Sequence, residues 1–393
     1  MRENAPSRLR PHFMKRLLHP LVLAVTAVLA LGYAYVAHRL AEGPWERSAL
    51  AIPFALVWIV PVVYWSRPQN GDRQETWFDT AAHQASYLAM AWLSFIFVFT
   101  LARDAALFLT AAARFTAAHE VLAHHGISSV LTASLIALVA GAFTALRGPR
   151  VKEVLIHIPG LHADLEGLRI AQISDLHVGP NIRRGYVERV VSRVQGLAPD
   201  LVALTGDIVD GSVPSLQSEV APLAVLAADG RAFFVLGNHD CYSGAPEWIA
   251  HFRGMGMNVL LNENMAVRKG EARLVIGGVV DPAYRGARPD ISLADAAKAD
   301  FRLLLAHNPR LAPLGARAGY DLQLSGHTHA GQFFPWTIAV RLVHAPHVAG
   351  LSREGAMQVY VSAGTGTWGP PVRLGMGTSP EISLIKLTGT ESR

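Results

Sequence analysis

Apolar residues are spread along this chain in two different ways. Up to residue 150 they come in long blocks, at 17–37, 49–65, 86–101 and 128–146, each near the roughly 20 residues that a membrane-spanning helix needs. Pro53 and Pro61 should kink the second block. Between the third and fourth blocks, Arg103-Asp104-Ala105-Ala106-Leu107-Phe108-Leu109 leads into an Ala-rich stretch that reaches His125. A charged pair at membrane depth is costly, so this stretch reads as an exposed or interfacial helical extension, with a fifth span as the alternative. His119, His124 and His125 fall within it and fit a solvated helix face better than a metal site. The first block is long for a signal peptide and no good small-residue cleavage site follows it, so it reads as an anchor.

From Val151 the blocks shorten. Apolar runs at 168–173, 201–204, 232–236 and 301–305 have the length and composition of buried strands. Between them, stretches at 184–195, 215–228 and 246–253 repeat apolar residues at helical spacing. Closely spaced strands follow at 257–261, 265–268, 274–279, 358–361 and 382–387. Alternating strands and helices predict an α/β layered domain. The expected division is a transmembrane region of about four spans over 1–150 and a second domain over 151–393. No internal repeat or low-complexity tract is evident.

Composition supports the split. Of 393 residues, 51% are hydrophobic, and the mean hydropathy of +0.26 is high for a soluble protein. Residues 1–150 hold 13 Lys and Arg against 8 Asp and Glu, a difference of +5, and residues 151–393 hold 22 of each. The positive excess therefore belongs to the membrane part. The second domain has no basic run longer than a pair such as Arg183-Arg184, which argues against a nucleic-acid partner in spite of a pI near 9.5. Four spans put both termini on one side, and Arg147, Arg150, Lys152 and the basic N-terminus favour the cytoplasmic side. The single cysteine, Cys241, excludes an intrachain disulfide and fits a small apolar packing residue.

Each of the four apolar runs at 168–173, 201–204, 232–236 and 301–305 is followed by a polar cluster. The clusters are Asp175-Leu176-His177, Gly206-Asp207-Ile208-Val209-Asp210, Gly237-Asn238-His239-Asp240 and Ala306-His307-Asn308. A fifth, Gly326-His327-Thr328-His329-Ala330-Gly331-Gln332, follows the apolar-polar run Asp321-Leu322-Gln323-Leu324-Ser325. All five sit at the carboxyl ends of strands, where open α/β sheets place their sites. A lone His-x-His is as often a plain histidine pair as a metal site. Five clusters in order are a different matter.

The ordered set D-x-H, G-D-x-x-D, G-N-H-D, H and G-H-x-H resembles the calcineurin-like metallophosphoesterases, and S-D-L-H, A-H-N-P and G-H-T-H-A-G-Q are most similar to their membrane-anchored bacterial branch. The resemblance covers roughly residues 150 to 390. It implies a four-layer α/β/β/α sandwich, behind the four-helix transmembrane region, in a bacterial inner membrane. It also implies two divalent metal ions, with Mn, Fe or Zn suited to mixed carboxylate, imidazole and amide donors. One metal would take Asp175, His177, Asp207 and His329, and the other Asp207, Asn238, His307 and His327. Asp207 would bridge. His239 would be the general acid at the leaving oxygen, and Asp210 would orient it, with an N-cap role for Asp210 as the alternative. Asp240 reads as a supporting or loop-capping residue.

The implied reaction is hydrolysis of a phosphomonoester, phosphodiester or pyrophosphate by metal-bound hydroxide. Its rivals are a non-catalytic interaction or sensor module that kept the fold, and a transporter, which the scarcity of ionisable residues in the spans disfavours. Arg183 and Arg184 fit either a phosphate contact or a solvated helix start. His157, His162, His251, His344 and His347 match no family motif and read as structural or surface residues. Residues 364–369 resemble a family loop near the site and lack the Lys of an ATP cradle. Residues 333–343 are unusually apolar beside a water-using site. They read either as a strand and loop over the core or as a segment in a bilayer interface, in which case Trp336 and its neighbours would meet the acyl part of a lipid-linked substrate.

Overall fold

The computed structural model describes residues 20–60, 76–284, 286–294 and 299–389, and the chain forms two compact units that meet in sequence at residues 140 and 141. The first unit is helical: α1 (Pro20–Leu40), α2 (Pro44–Ile59), α3 (Trp77–Ala112) and α4 (Thr116–Leu146). Three stretches, Val22–Leu40, Trp77–Ala112 and Thr116–Leu146, are long and apolar enough to cross a membrane. The expected count of four is thereby corrected to three among the described residues. At 16 residues α2 rises only about 24 Å, short of the roughly 30 Å hydrocarbon core, and residues 61–65 of that expected span lie outside the described residues, as do 17–19 of the first.

Helix α3 extends well beyond the expected block at both ends. It opens with a capping box in which Thr76 Oγ1 accepts from the Asp79 amide at 3.2 Å and Asp79 returns a carboxylate oxygen to the Thr76 amide at 3.0 Å. At the other end Asp104 accepts from Arg39 Nε at 2.7 Å and from the Tyr35 hydroxyl at 2.9 Å, both on α1. The residues from Arg103 to His125 form the last turns of α3 and the first turns of α4, joined across Arg114 at a left-handed φ of 58°.

The second unit is built on two six-stranded sheets. The first contains β1 (Arg150–His157), β2 (Arg169–Ile173), β3 (Leu201–Leu204), β4 (Ala232–Phe234) and β5 (Asn258–Val259), with β12 (Glu381–Thr388) lying between β1 and β2. The second runs β10-β11-β9-β8-β7-β6, from β6 (Glu263–Lys269), β7 (Ala272–Gly278), β8 (Phe301–Leu305) and β9 (Leu322–Ser325) to β10 (Gly350–Glu354) and β11 (Met357–Val361). Strands β2 to β5 are parallel, and so are β7, β8, β9 and β11.

Alternation along each strand explains the layers. Ile170, Leu201, Ala203 and Phe233 face the second sheet and pack with its Leu274, Leu303, Leu322 and Tyr360. Their neighbours Ala171, Val202, Leu204 and Phe234 face outward onto Val187, Val190, Leu216, Trp248 and Phe252, carried by α5 (Arg184–Gly196), α6 (Val213–Val220) and α8 (Ala245–Gly254). On the far side Leu304, Val359 and Val361 pack with Ala312 of α9 (Ala312–Ala318). Both strand faces are covered, which is why these strands read as near-continuous apolar runs. The result is an α/β/β/α sandwich.

Two local expectations are corrected. The helix expected over 215–228 stops at Val220, because Pro222 has no N–H to continue it, and a 3-10 segment Ala221–Gly230 follows. The apolar segment after Gln332 is helix α10 (Trp336–His344), not a strand, and none of its residues is buried. Thr337, Val340 and His344 are its half-buried positions, at the i, i+3, i+7 spacing of one face. Trp336, Ile338, Leu342 and Val343 are exposed.

Candidate metal centre

The parallel strands deliver their carboxyl ends to one rim. Asp175 and His177 follow β2, Asp207 and Asp210 follow β3, and Asn238 and His239 open the short helix α7 (Asn238–Tyr242) after β4. His307 follows β8, and His327 and His329 follow β9. All nine predicted site residues therefore leave strand ends on the same side. Asp175, His177, Asp207, His327 and His329 hold left-handed φ values of 53°, 53°, 53°, 73° and 51°, a strained arrangement for residues with side chains that is stored mainly at functional sites. Two glycines allow the close approach: a Cβ on Gly237 would lie 2.1 Å from Asp207 Oδ1, and one on Gly326 would lie 2.1 Å from Asp175 Oδ2.

Among the described residues, Asp175, His177 and His329 form one group of converging donor atoms, and Asp207, His307 and His327 form another, with the atoms of each group within 4.8 Å of one another. In the first, His177 Nε2 lies 2.9 Å from His329 Nε2, and His329 Nε2 lies 3.4 Å from Asp175 Oδ1. In the second, His307 Nε2 lies 3.1 Å from Asp207 Oδ2 and 3.2 Å from His327 Nδ1. Asn238 Oδ1 is 2.9 Å from His327 Nδ1. Two pairs of ring nitrogens aimed at each other can share at most one proton per pair, and a cation placed among them satisfies every lone pair at once. The donor set thus fits metal ions on its own geometry.

A third group is a hydrogen-bond relay. Asp210 Oδ1 accepts from His239 Nδ1 at 2.8 Å and from His177 Nδ1 at 3.0 Å. The N-cap of the next helix is Ser212. His307 Nδ1 donates to the Thr205 carbonyl at 2.8 Å, which leaves its Nε2 to the cluster.

Three residues escaped the sequence reading or were underrated by it. Asp240 is fully buried and accepts from the amides of Asp207, Ile208, Val209 and Gly237 at 2.8 to 3.1 Å, so it shapes the loop that presents Asp207. Its place two residues after Asn238 was the only hint. Arg373 is 0% exposed and its Nη2 donates to His329 Nδ1 at 2.9 Å. Its Nη1 donates to the carbonyls of His329 and Ala363 at 2.9 and 2.8 Å. Nothing in its sequence context marks it. Gln332 uses its amide oxygen and nitrogen on the Trp368 backbone. Of the remaining histidines, His344 packs its ring against His327 at 5.2 Å, and His347 is buried between Ser352 and Glu354. Arg184 is engaged by Glu188.

Charge is divided within each group. Burial works against a charged His177, but the neighbouring Asp210 carboxylate, with Asp207 and Asp175, pushes it up to about 9. Burial is likewise outweighed at His307, where Asp207 lifts it to about 10. Burial and the His307 charge push His327 down to about 3. Burial and the Arg373 guanidinium hold His329 well below the usual histidine range. The charges of His307 and His177 overcome burial and keep Asp207 ionised far below its ordinary range.

Comparison with known proteins agrees with this geometry. The sequence profile of the family described as calcineurin-like phosphoesterase matches residues 168–331. The chain is 32% identical to a transmembrane protein with metallophosphoesterase domain from Danio rerio, over 93% of this chain and 88% of that one. It is 31% identical to an uncharacterized metallophosphoesterase of Campylobacter jejuni, over 66% of this chain and 69% of that one. An uncharacterized metallophosphoesterase of Aquifex aeolicus is 32% identical over 65% of this chain and 98% of its own length.

Proposed function

The chain belongs to the calcineurin-like metallophosphoesterases, and on that premise we propose that it uses two divalent metal ions to hydrolyse a phosphomonoester, phosphodiester or pyrophosphate at a membrane. In this reading Asp175, His177, Asp207 and His329 hold one ion, and Asp207, Asn238, His307 and His327 hold the other. The observation that carries it is Asp207: its Oδ2 lies 3.1 Å from His307 Nε2 and 3.8 Å from His177 Nε2, within reach of both donor groups. When bound, such ions neutralise phosphoryl charge and lower the pKa of water. Mixed carboxylate, imidazole and amide donors suit Mn, Fe or Zn.

The chain's own residues supply the rest. Asp210, by accepting from His239 Nδ1, leaves Nε2 as the atom that donates a proton to the leaving oxygen. The same oxygen fixes the His177 tautomer with Nε2 free for a metal. Asn238 contributes a donor without charge, which limits repulsion of an anionic substrate. At His329 the arrangement is reversed: Nδ1 accepts from Arg373, so the neutral ring carries its proton on Nε2, and a ligand role for Nε2 requires that proton to move to Nδ1.

The decisive experiment is Asp207→Ala in the full-length protein. Metal content and hydrolysis of a bis-aryl phosphodiester and an aryl phosphate should both be lost, and a purified variant with full activity would sink the assignment. His239→Ala should instead keep its metals and lose rate by a factor of about 10² to 10⁴, less for good leaving groups.

The finer reading is a lipid-linked phosphoester or pyrophosphate as substrate, with the chain in a bacterial inner membrane and the second unit in the cytoplasm. It is supported by the exposed Trp336, Ile338, Leu342 and Val343 on α10, a helix that starts five residues after Gly331 and packs His344 against His327. Assay of the intact enzyme against soluble nucleotides, sugar phosphates and lipid-linked phosphates tests it. Better turnover of a soluble nucleotide than of every lipid, with lipid turnover indifferent to Trp336→Ser, defeats it. The side of the membrane is read by a reporter fused after Arg393: with a basic cytoplasmic N-terminus, activity in the cytoplasm fits four spans, and activity outside fits the three of the described residues and defeats the cytoplasmic placement.

A further inference from the structure

Two aromatic rings close on His239 and keep much of their surface open. The Trp368 ring lies 5.9 Å from the His239 ring at 73°, and the Tyr242 ring 5.8 Å away at 61°. Their exposures are 45% and 56%, whereas Trp248 of the same unit is fully buried. Tyr242 stands three residues after His239 on α7, the spacing that puts two side chains on one helix face.

Trp368 is held in place by its backbone. Gln332 Nε2 donates to the Trp368 carbonyl at 2.7 Å, and the Trp368 amide donates to Gln332 Oε1 at 3.0 Å. Asn181 Nδ2 donates to the next carbonyl, that of Gly369, at 3.1 Å. Upstream, the Thr365 and Gly366 amides donate to the carbonyls of Ser174 and Asp175 at 2.7 and 2.9 Å. The loop is therefore stitched to the strand end that carries Asp175, and its one large side chain is left beside His239. Gln332 holds an unusual backbone itself, with φ 55° and ψ −55°, three residues beyond His329.

We infer that Trp368 and Tyr242 form the leaving-group subsite, that this subsite takes a planar ring ester, and that Gln332 is the positioning residue that sets Trp368. The inference rests on His239 being the proton donor at the leaving oxygen, as proposed above. A proton donor works within hydrogen-bond reach of that oxygen, so the group attached to the oxygen must lie against whatever surrounds His239. Here that is two open aromatic rings, which favour a flat π face over a puckered or flexible chain. Fixing Trp368 beforehand removes the ordering cost that a mobile ring would add to binding.

Phenyl and cyclohexyl esters of phosphate, as monoesters and as methyl diesters, carry rings of similar size that differ in planarity. Their kcat and KM are measured with the wild-type enzyme and with Trp368→Ala, Trp368→Phe and Gln332→Glu. Trp368→Ala should reduce the phenyl-over-cyclohexyl ratio of kcat/KM about tenfold, the scale of a ring-on-ring contact, with most of the change in KM. Trp368→Phe should recover most of the ratio. Gln332→Glu keeps the shape but loses the amide donor, and should reduce the ratio by about threefold, a fraction of the same contact. An unchanged ratio in Trp368→Ala, with the wild type active, overturns the subsite. An equal loss on both rings in Gln332→Glu overturns its positioning role. A wild-type enzyme that hydrolyses no ester in the metal-loaded state overturns the phosphoesterase reading, and this inference with it.

Discussion

The two donor groups meet where Asp207 of the second lies 3.8 Å from His177 Nε2 of the first, and they differ in almost everything else. Around Asp175, His177 and His329 the supporting groups are charged: the Asp210 carboxylate behind His177 and the Arg373 guanidinium behind His329. Around the imidazoles of the second group they are neutral, with the Thr205 carbonyl behind His307 and the Asn238 amide beside His327. All three residues of the first group are buried, while His327 of the second is partly open and meets His344 of α10. Outer partners tune a ligand as surely as the ligand's own chemistry. The first group is thus sealed and the second partly open.

Substitution at Asp240 should erase the contrast with the largest effect. Asp240→Ala strands four buried amides that hold the Asp207 loop, and a destabilisation of about 3 to 5 kcal/mol follows from a buried network broken on one side. Thermal unfolding of the metal-free protein reads it, and a melting temperature equal to wild type would show that the loop is held by something else.

Arg373→Leu should sharpen the contrast. It removes support from the first group only, so metal analysis should find one ion retained and the other weakened by about 10- to 100-fold, the usual effect of losing an outer partner. Equal loss of both ions would mean that the two groups act as one unit.

Proton release tests what the groups have in common. Each contains one imidazole that holds a proton in the metal-free protein, His177 with a pKa of about 9 and His307 with one of about 10. Each ion bound at pH 7 should therefore expel about one proton, and affinity should rise with pH through about 9 to 10. Calorimetry in buffers of different ionisation heat measures the count. The same raised values stabilise the metal-free fold fully below about pH 6.5, and that contribution is lost as pH rises through the folded values. A metal-free protein that gained stability from pH 7 to 10 would contradict the assignment.

A last test concerns Cys241, next to Asp240. Burial and the Asp240 charge push its thiol up to about 12, so alkylation at pH 8 should be slower than for a free thiol by about three powers of ten. Labelling at the rate of the unfolded protein would place Cys241 in the open.

Much of this was legible in the sequence because parallel strands end where function begins. Asp175, Asp207, Asn238, His307 and His327 each announce a strand end by following a short apolar run. Arg373 was not legible: it lies 44 residues past His329 between Val372 and Leu374, and only the folded chain brings its guanidinium to the imidazole. Helix α10 misled for a different reason. Its apolar residues outnumber those it half-buries, so the periodicity of its inner face, Thr337, Val340 and His344, is masked by Trp336, Ile338, Leu342 and Val343 on the outside. The polar partners of the rim, Asp240 and Gln332 among them, bond mostly to backbone, and residue identity alone does not say which backbone.

Strand β12 lies between β1 and β2, parallel to one and antiparallel to the other, although it is made more than 200 residues after both. While the chain is being synthesised, β1 and β2 therefore have no common neighbour, and the first sheet stays split until residues 381–388 leave the ribosome. His329 has emerged well before that, so all nine site residues are present while the scaffold is still open. Such long-range closure is slow relative to local folding, and in the interval β2 keeps an unpaired edge of the kind that holdase chaperones cover and that recruits stray strands. A chain that stops between Gln332 and Pro380 would therefore carry all nine site residues and lack the strand that joins β1 to β2.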